Sequence, residues 1–340
     1  MIARRKPGSA PVVPPPAAAS PGNGGGDRSA EIRRRIEALG TRLSLPTVRK
    51  ALGVVEGEHA SHRPLGSGDM MDARVYEPGD EARLIDWKTS ARMGRPMVVN
   101  RERLVTSRVW LLMDVGREMT GICPSGERAL EVAANGLRMF AALSLRRADT
   151  ISLVFADAAS ITRVPFTGGF AQFGRALDGA LERDWNQPRN IDALLDYARR
   201  IKDREALVVL ATDEHALGRR HLEALRRIAR THPVVLIDVA TLNPFAARAP
   251  QGYAAVADGA GARRVPAFLR TARTQAEVTT HREAVAAMVE RELARSGSRM
   301  IRAGSSEAMF DAFVAMVSRA VAGSSPAVPR GALAAAGDAR

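Results

Sequence analysis

The stretch Val109-Trp110-Leu111-Leu112-Met113-Asp114-Val115 decides the fold, together with its counterpart Ala206-Leu207-Val208-Val209-Leu210-Ala211-Thr212-Asp213. Each is a continuous apolar run of strand length that ends in aspartate, the pattern of a parallel strand buried on both faces. Thr150 to Phe155 and Pro233 to Val239 are apolar runs of the same length class without the closing aspartate. Between these runs, Glu127 to Arg147, Phe170 to Asp184, Ile191 to Arg204 and Arg219 to Thr231 carry apolar residues at helical spacing. A long helical segment from Pro266 to Ser296, a strand near Met300-Ile301 and a helix from Ser306 to Val321 complete the series. Alternating strand and helix implies an α/β fold, a doubly wound, mostly parallel sheet with helices on both faces.

Outward from this core the composition changes. Residues 1–29 are rich in Pro, Ala and Gly and read as a disordered arm, and 322–340 as a similar tail. Residues 30–106 read as an N-terminal flank with short helices at Ala30 to Leu39 and Leu45 to Leu52, followed by a charged segment. The sheet domain then spans 107–321.

The chain has 340 residues, of which 46% are hydrophobic, enough for a sizeable core. One cysteine excludes a disulfide framework and any Cys-based metal centre. No apolar run approaches the ~18 to 20 residues of a spanning helix, and the N-terminus lacks an apolar export segment, so a cytoplasmic protein is expected. The net charge of +13 invites an anionic partner. Its distribution weakens that invitation. Residues 1–50 carry ten basic against three acidic side chains, whereas 51–106 carry eight against nine. Binding of nucleic acid or an anionic surface through the basic N-terminal region is thus the alternative function, and no specific nucleic-acid site is expected, since no aromatics interleave a basic stripe.

Ligands of doubly wound sheets sit beyond the carboxyl ends of the strands. Asp114 and Asp213 close neighbouring strands there, where two carboxylates can share a hard cation such as Mg²⁺ or can simply cap the following loop. Asp114-Val115-Gly116-Arg117-Glu118 resembles the metal-ion-dependent adhesion site of von Willebrand factor A-type domains, with both serines of its Asp-x-Ser-x-Ser pattern missing. Under that resemblance the distal aspartate is Asp213 and the loop threonine aligns with Asn190. Either Glu118 and Asn190 complete an oxygen set for a divalent cation, or the site is degenerate and Arg117 supplies the charge; the missing hydroxyls favour the second.

The charged segment is the more specific signal. Arg74-Val75-Tyr76-Glu77-Pro78-Gly79-Asp80 is followed by Arg83, Ile85-Asp86-Trp87 and Ala91-Arg92. Pro78-Gly79 marks a turn, Asp80 is placed to cap a short helix, and Gly94 to stop it before Pro96 to Val99 returns as a strand. An ion-pair network of Arg74, Asp80, Arg83, Asp86 and Arg92 that fastens the segment is the favoured role for these side chains. The block closely resembles the signature of the bacterial family called domain of unknown function 58, and the resemblance extends over about Leu65 to Ala320. It implies a von Willebrand factor A-like fold, a non-enzymatic adaptor role and a MoxR-type AAA+ ATPase as partner, beside which such proteins are commonly encoded. Many relatives carry membrane helices ahead of the block and an Asp-Pro-x-Glu segment where this chain has Leu242-Asn243-Pro244-Phe245, marking a divergent member. An enzyme is not expected. No HExxH, phosphate-loop or nucleophile-elbow pattern occurs, leaving only a hydrolase built from Cys123, His215 and Asp213 as a remote alternative. Nothing in the sequence bears on oligomeric state.

Overall fold

The structure is a computed structural model of the chain and describes residues 24–42, 72–77, 85–100, 108–145, 149–203, 206–246 and 265–323. Helix α1 (Gly24–Arg42) is followed by strand β1 (Asp72–Val75), helix α2 (Trp87–Met93) and strand β2 (Met97–Asn100). The sheet domain then runs β3 (Arg108–Asp114), α3 (Ala129–Leu145), β4 (Thr150–Ala156), β5 (Ile161–Val164), α4 (Phe170–Leu181) and α5 (Ile191–Arg199). It continues through β6 (Leu207–Asp213), α6 (Leu222–Ala229), β7 (Val234–Val239), α7 (Ala272–Arg295), β8 (Arg299–Ala303) and α8 (Ser306–Gly323). Two compact units result: 56–106, and the remainder of the chain, to which α1 belongs.

Six strands form the sheet in the order β5-β4-β3-β6-β7-β8. All neighbours are parallel except β5, which pairs antiparallel with β4, Leu153 opposite Val164. The doubly wound α/β architecture agrees with the sequence. Side chains alternate across each strand, so the apolar runs feed two cores. Leu111 and Met113, Val209 and Ala211, and Val235 and Ile237 pack with α1, α3, α4 and α8. Leu112, Val208, Leu210 and Leu236 pack on the other face with α5, α6 and α7. On the first face Phe140 of α3 meets Phe313 of α8 edge-on, ring centroids 4.9 Å apart.

Three local expectations change. Helix α1 begins at Gly24, within the expected arm, and is amphipathic: Ile32 and Ile36 enter the first core while Arg33 pairs with Asp178 at 3.1 Å. Strand β5 went unread because a short edge strand with three of its four side chains at least partly solvated has no continuous apolar run. In the 56–106 unit α2 starts at Trp87, and the expected cap Asp80 lies outside the described residues. Ile85 is held in a β-bridge to Val98, and the Asp86 carboxylate accepts from the N–H groups of Lys88 (2.9 Å) and Thr89 (3.2 Å), which makes it the N-cap. Gly94 ends α2 at φ 66°, as its position predicts. The expected helix at Leu45 to Leu52 lies outside the described residues.

Helix α3 runs close to the sheet because Gly136 has no side chain. A Cβ there would stand 2.9 Å from Ile237 Cδ1. Gly136→Val should therefore lower the free energy of unfolding by about 1–3 kcal/mol through overpacking, read as a reduced urea midpoint at unchanged slope.

Candidate functional site

Parallel strands with helical crossovers leave their carboxyl ends on one edge, and β3 and β6 lie side by side, so Asp114 and Asp213 come together there as the sequence implies. Both are buried, at 1% and 0% exposure. Buried carboxylates need donors, and each oxygen has one. Asp114 Oδ1 accepts from Gly116 N–H at 2.9 Å and Oδ2 from the Thr212 hydroxyl at 2.8 Å. Asp213 Oδ1 accepts from His215 N–H at 2.8 Å.

The remaining donor is Arg189, which the sequence reading missed. Its guanidinium grips Asp213 in a bidentate fork, with Nη1 at 2.9 Å from Oδ1 and Nη2 on Oδ2, and its Nε lies 3.2 Å from Asp114 Oδ2. Its backbone N–H donates to Glu118 Oε2 at 2.9 Å. Burial works against the Arg189 charge, but Asp213, Asp114 and Glu118 together hold its pKa above the ordinary arginine value. Burial also pushes the Asp114 carboxyl above the usual range, against the pull of Arg189. The expected charge donor, Arg117, sits in a 3₁₀ turn (Arg117–Thr120) with its N–H on Gln187 O at 2.7 Å; the ion pairs to both aspartates come from Arg189 instead.

Of the four expected ligands, Asp114, Glu118 and Asp213 thus converge on one arginine. Asn190 does not join them: exposed, it caps α5, with its Oδ1 accepting from Ala193 N–H at 3.0 Å. A divalent cation of the kind the adhesion-site resemblance implies does not fit this donor set, because the Arg189 guanidinium stands between the two carboxylates, forked on Asp213 and 3.2 Å from Asp114 Oδ2. Among the described residues no group of three or more His, Cys, Asp or Glu side chains is arranged to hold a metal ion.

Beside this cluster lies a second one. Glu214 Oε1 accepts from the backbone and hydroxyl of Thr241 (2.8 and 3.0 Å) and from Arg282 Nη1 at 2.9 Å, while its Oε2 accepts from Arg302 Nη2 at 2.5 Å. Arg302 also donates to Asp238 at 3.2 Å. Desolvation drives the Asp238 carboxyl up to about 7, with Arg302 opposing. His215 Nε2 lies 3.1 Å from the Thr241 hydroxyl, and burial lowers its pKa, so the ring is neutral at pH 7. Cys123 is buried, its thiol pushed up to about 12 chiefly by desolvation, and Asp213 is spent on Arg189; these three do not make a nucleophile, base and orienting acid. In the 242–246 loop, Asn243 donates to Gln275 O (3.1 Å) and Thr279 Oγ1 (3.2 Å), tying the stretch to α7.

The family-motif residues are described in part. Trp87 is 71% exposed, Arg92 is exposed, Ala91 lies beside it on α2, and Tyr76 N–H bonds Pro96 O at 2.9 Å; the side chains of Arg74, Pro78, Gly79, Asp80 and Arg83 lie outside the described residues. Basic residues of α1 are engaged within the chain, Arg33 with Asp178 and Arg35 with Glu307 and Asp311.

A doubly wound sheet whose carboxyl edge is held by arginine-carboxylate pairs defines the class. The chain belongs to the family described as "Protein of unknown function DUF58", whose profile matches residues 72–265. Uncharacterized proteins Mb1516 of Mycobacterium bovis and Rv1480 of Mycobacterium tuberculosis are each 28% identical to it over 211 residues, covering 58% of this chain and 62% of theirs. The chain thus spans about three fifths of the length of the curated relatives it matches. Among solved structures, the conserved hypothetical protein BatB from Bacteroides thetaiotaomicron aligns at 15% identity and a TM-score of 0.40, covering 64% of this chain and 99% of that one. The SpRpn10 VWA domain aligns at 12% and 0.32, covering 41% and 78%.

The raised pKa of Asp238 fixes the sign of a pH effect. Between its unfolded value near 4 and about 7 the folded chain holds the extra proton, so this group favours the fold at low pH and loses that contribution as pH rises through 7. Asp238→Asn should remove that slope. The stability difference, variant minus wild type, is expected to shift toward the variant by about 2–4 kcal/mol between pH 4 and pH 8, measured by urea unfolding.

Proposed function

We propose that this chain is a non-enzymatic interaction module that serves a MoxR-type AAA+ ATPase as adaptor or partner and engages it through the carboxyl edge of the sheet. What supports the reading is the condition of the ionisable groups at that edge. Asp114, Asp213, Glu214 and Asp238 are each paired with arginine, the thiol is buried, and the neutral His215 rests against Thr241. Buried side chains committed to one another hold the edge rigid, and none of these paired groups is set beside another as a proton donor and acceptor for catalysis. A groove of about 330 Å³ between α5 and α6 is lined by Asp196, Arg199, Glu223 and Arg227 among others, and its charges also pair, Arg199 with Asp196 and Arg227 with Glu223. The partner class comes from the family resemblance. No helix among the described residues is long and apolar enough to cross a membrane.

The immobilised chain should retain a purified MoxR-type ATPase from the same genome at low salt. Arg117→Glu, which reverses a partly exposed charge on the edge, should weaken retention about tenfold or more. Failure of the wild-type chain to retain the purified ATPase would overturn the proposal.

A further inference from the structure

Two carboxylates closing neighbouring strands face each other across Arg189, and the placement has three parts that reinforce one another. The bidentate fork on Asp213 fixes the plane of the guanidinium, and Nε stands 3.2 Å from Asp114. The Glu118 carboxylate holds the Arg189 backbone N–H at 2.9 Å, which brings the 188–190 loop over the edge. Gly116 is the third part. A Cβ at 116 would lie 2.5 Å from Arg189 Cα and 2.6 Å from its backbone N, so the loop can approach only where residue 116 has no side chain. A serine at 116, where the adhesion-site pattern calls for one, and the observed path of Arg189 cannot share the same space. The guanidinium thus reaches the edge on a loop whose approach depends on glycine at 116.

We infer that Arg189 is a built-in cation, holding between the ends of β3 and β6 the charge position that a divalent ion would otherwise take, so that the carboxyl edge is set by the chain itself and is independent of divalent metal. The guanidinium suits the position because its donors diverge in one plane and match a carboxylate pairwise, and because its charge persists at every pH the protein meets. Removing one member of a buried ion cluster leaves unpaired charge, whereas neutralising all members together is far better tolerated. That difference separates a counter-charge from a side chain that merely fills space.

The test is thermal unfolding of the full chain as wild type, Arg189→Met, and Arg189→Met combined with Asp114→Asn and Asp213→Asn. Each is measured in EDTA and in excess Mg²⁺ or Mn²⁺. The wild type should melt at one temperature in all three solutions. Arg189→Met should melt lower by at least ~5 °C, and the triple variant should regain more than half of that loss. If Arg189→Met does not fold, the far-UV circular dichroism of the triple variant is read instead, and a folded spectrum supports the inference. A rise in wild-type melting temperature with either metal, an Arg189→Met variant that melts with the wild type, or a triple variant no more stable than the single one or unfolded, would each overturn it. Because every readout is the stability of this chain alone, the result stands apart from whether the ATPase binds.

Discussion

The burial of Asp114 and Asp213 is the constraint on which the edge of this protein turns. Two carboxylates with at most 1% of their surface exposed, at the ends of adjacent strands, cannot both stay ionised without a cation between them. Arg189 meets that need from a loop remote in sequence, and the rest of the edge is arranged around its path: Gly116 gives it room, Glu118 holds its backbone, and the Gly116 N–H and the Thr212 hydroxyl donate to the two Asp114 oxygens. Net stability from such a cluster is modest, since desolvating the ions costs about as much as their attraction returns. Its effect is on geometry, because each member left alone would be a buried unpaired charge.

The Glu214 cluster obeys the same rule one strand further along. Arg302 on β8 bridges Glu214 and Asp238, and Arg282 on α7 closes the other side against Glu214 and the Thr241 carbonyl. The last strand, α7 and the β6 loop are thereby locked together by charge at the edge, while the two apolar cores lock them beneath it. The arginine-rich composition that contributes to the positive net charge is spent here, and on α1, in pairs within the molecule.

Much of the fold was legible because a parallel strand buried on both faces must be apolar throughout, and the four longest strands are read directly from such runs. The start of α2 at Trp87 was not legible, since the pairing of Ile85 with Val98 is a contact with the returning strand that no local helix signal reports. Strand β5 escaped for the opposite reason: an edge strand exposes its side chains and loses the pattern. At the site, Asp114 and Asp213 could be chosen because topology sends strand ends to one edge. Arg189 could not, since nothing in Pro188-Arg189-Asn190 distinguishes a buried counter-ion from the many exposed arginines of the chain.

The amino-acid order by itself determined the α/β architecture, the pairing of strand-end aspartates and the family, because these follow from periodicity, from chain connectivity and from a motif of contiguous residues. Which cation lies between those aspartates was decided only in three dimensions. The sequence points to Arg117; the absence of a side chain at Gly116 instead admits the Arg189 loop to within van der Waals distance, and the fork geometry of its guanidinium fits Asp213 once it arrives. Close approach between segments far apart in sequence is a property of packing, and packing is what the linear order leaves unstated.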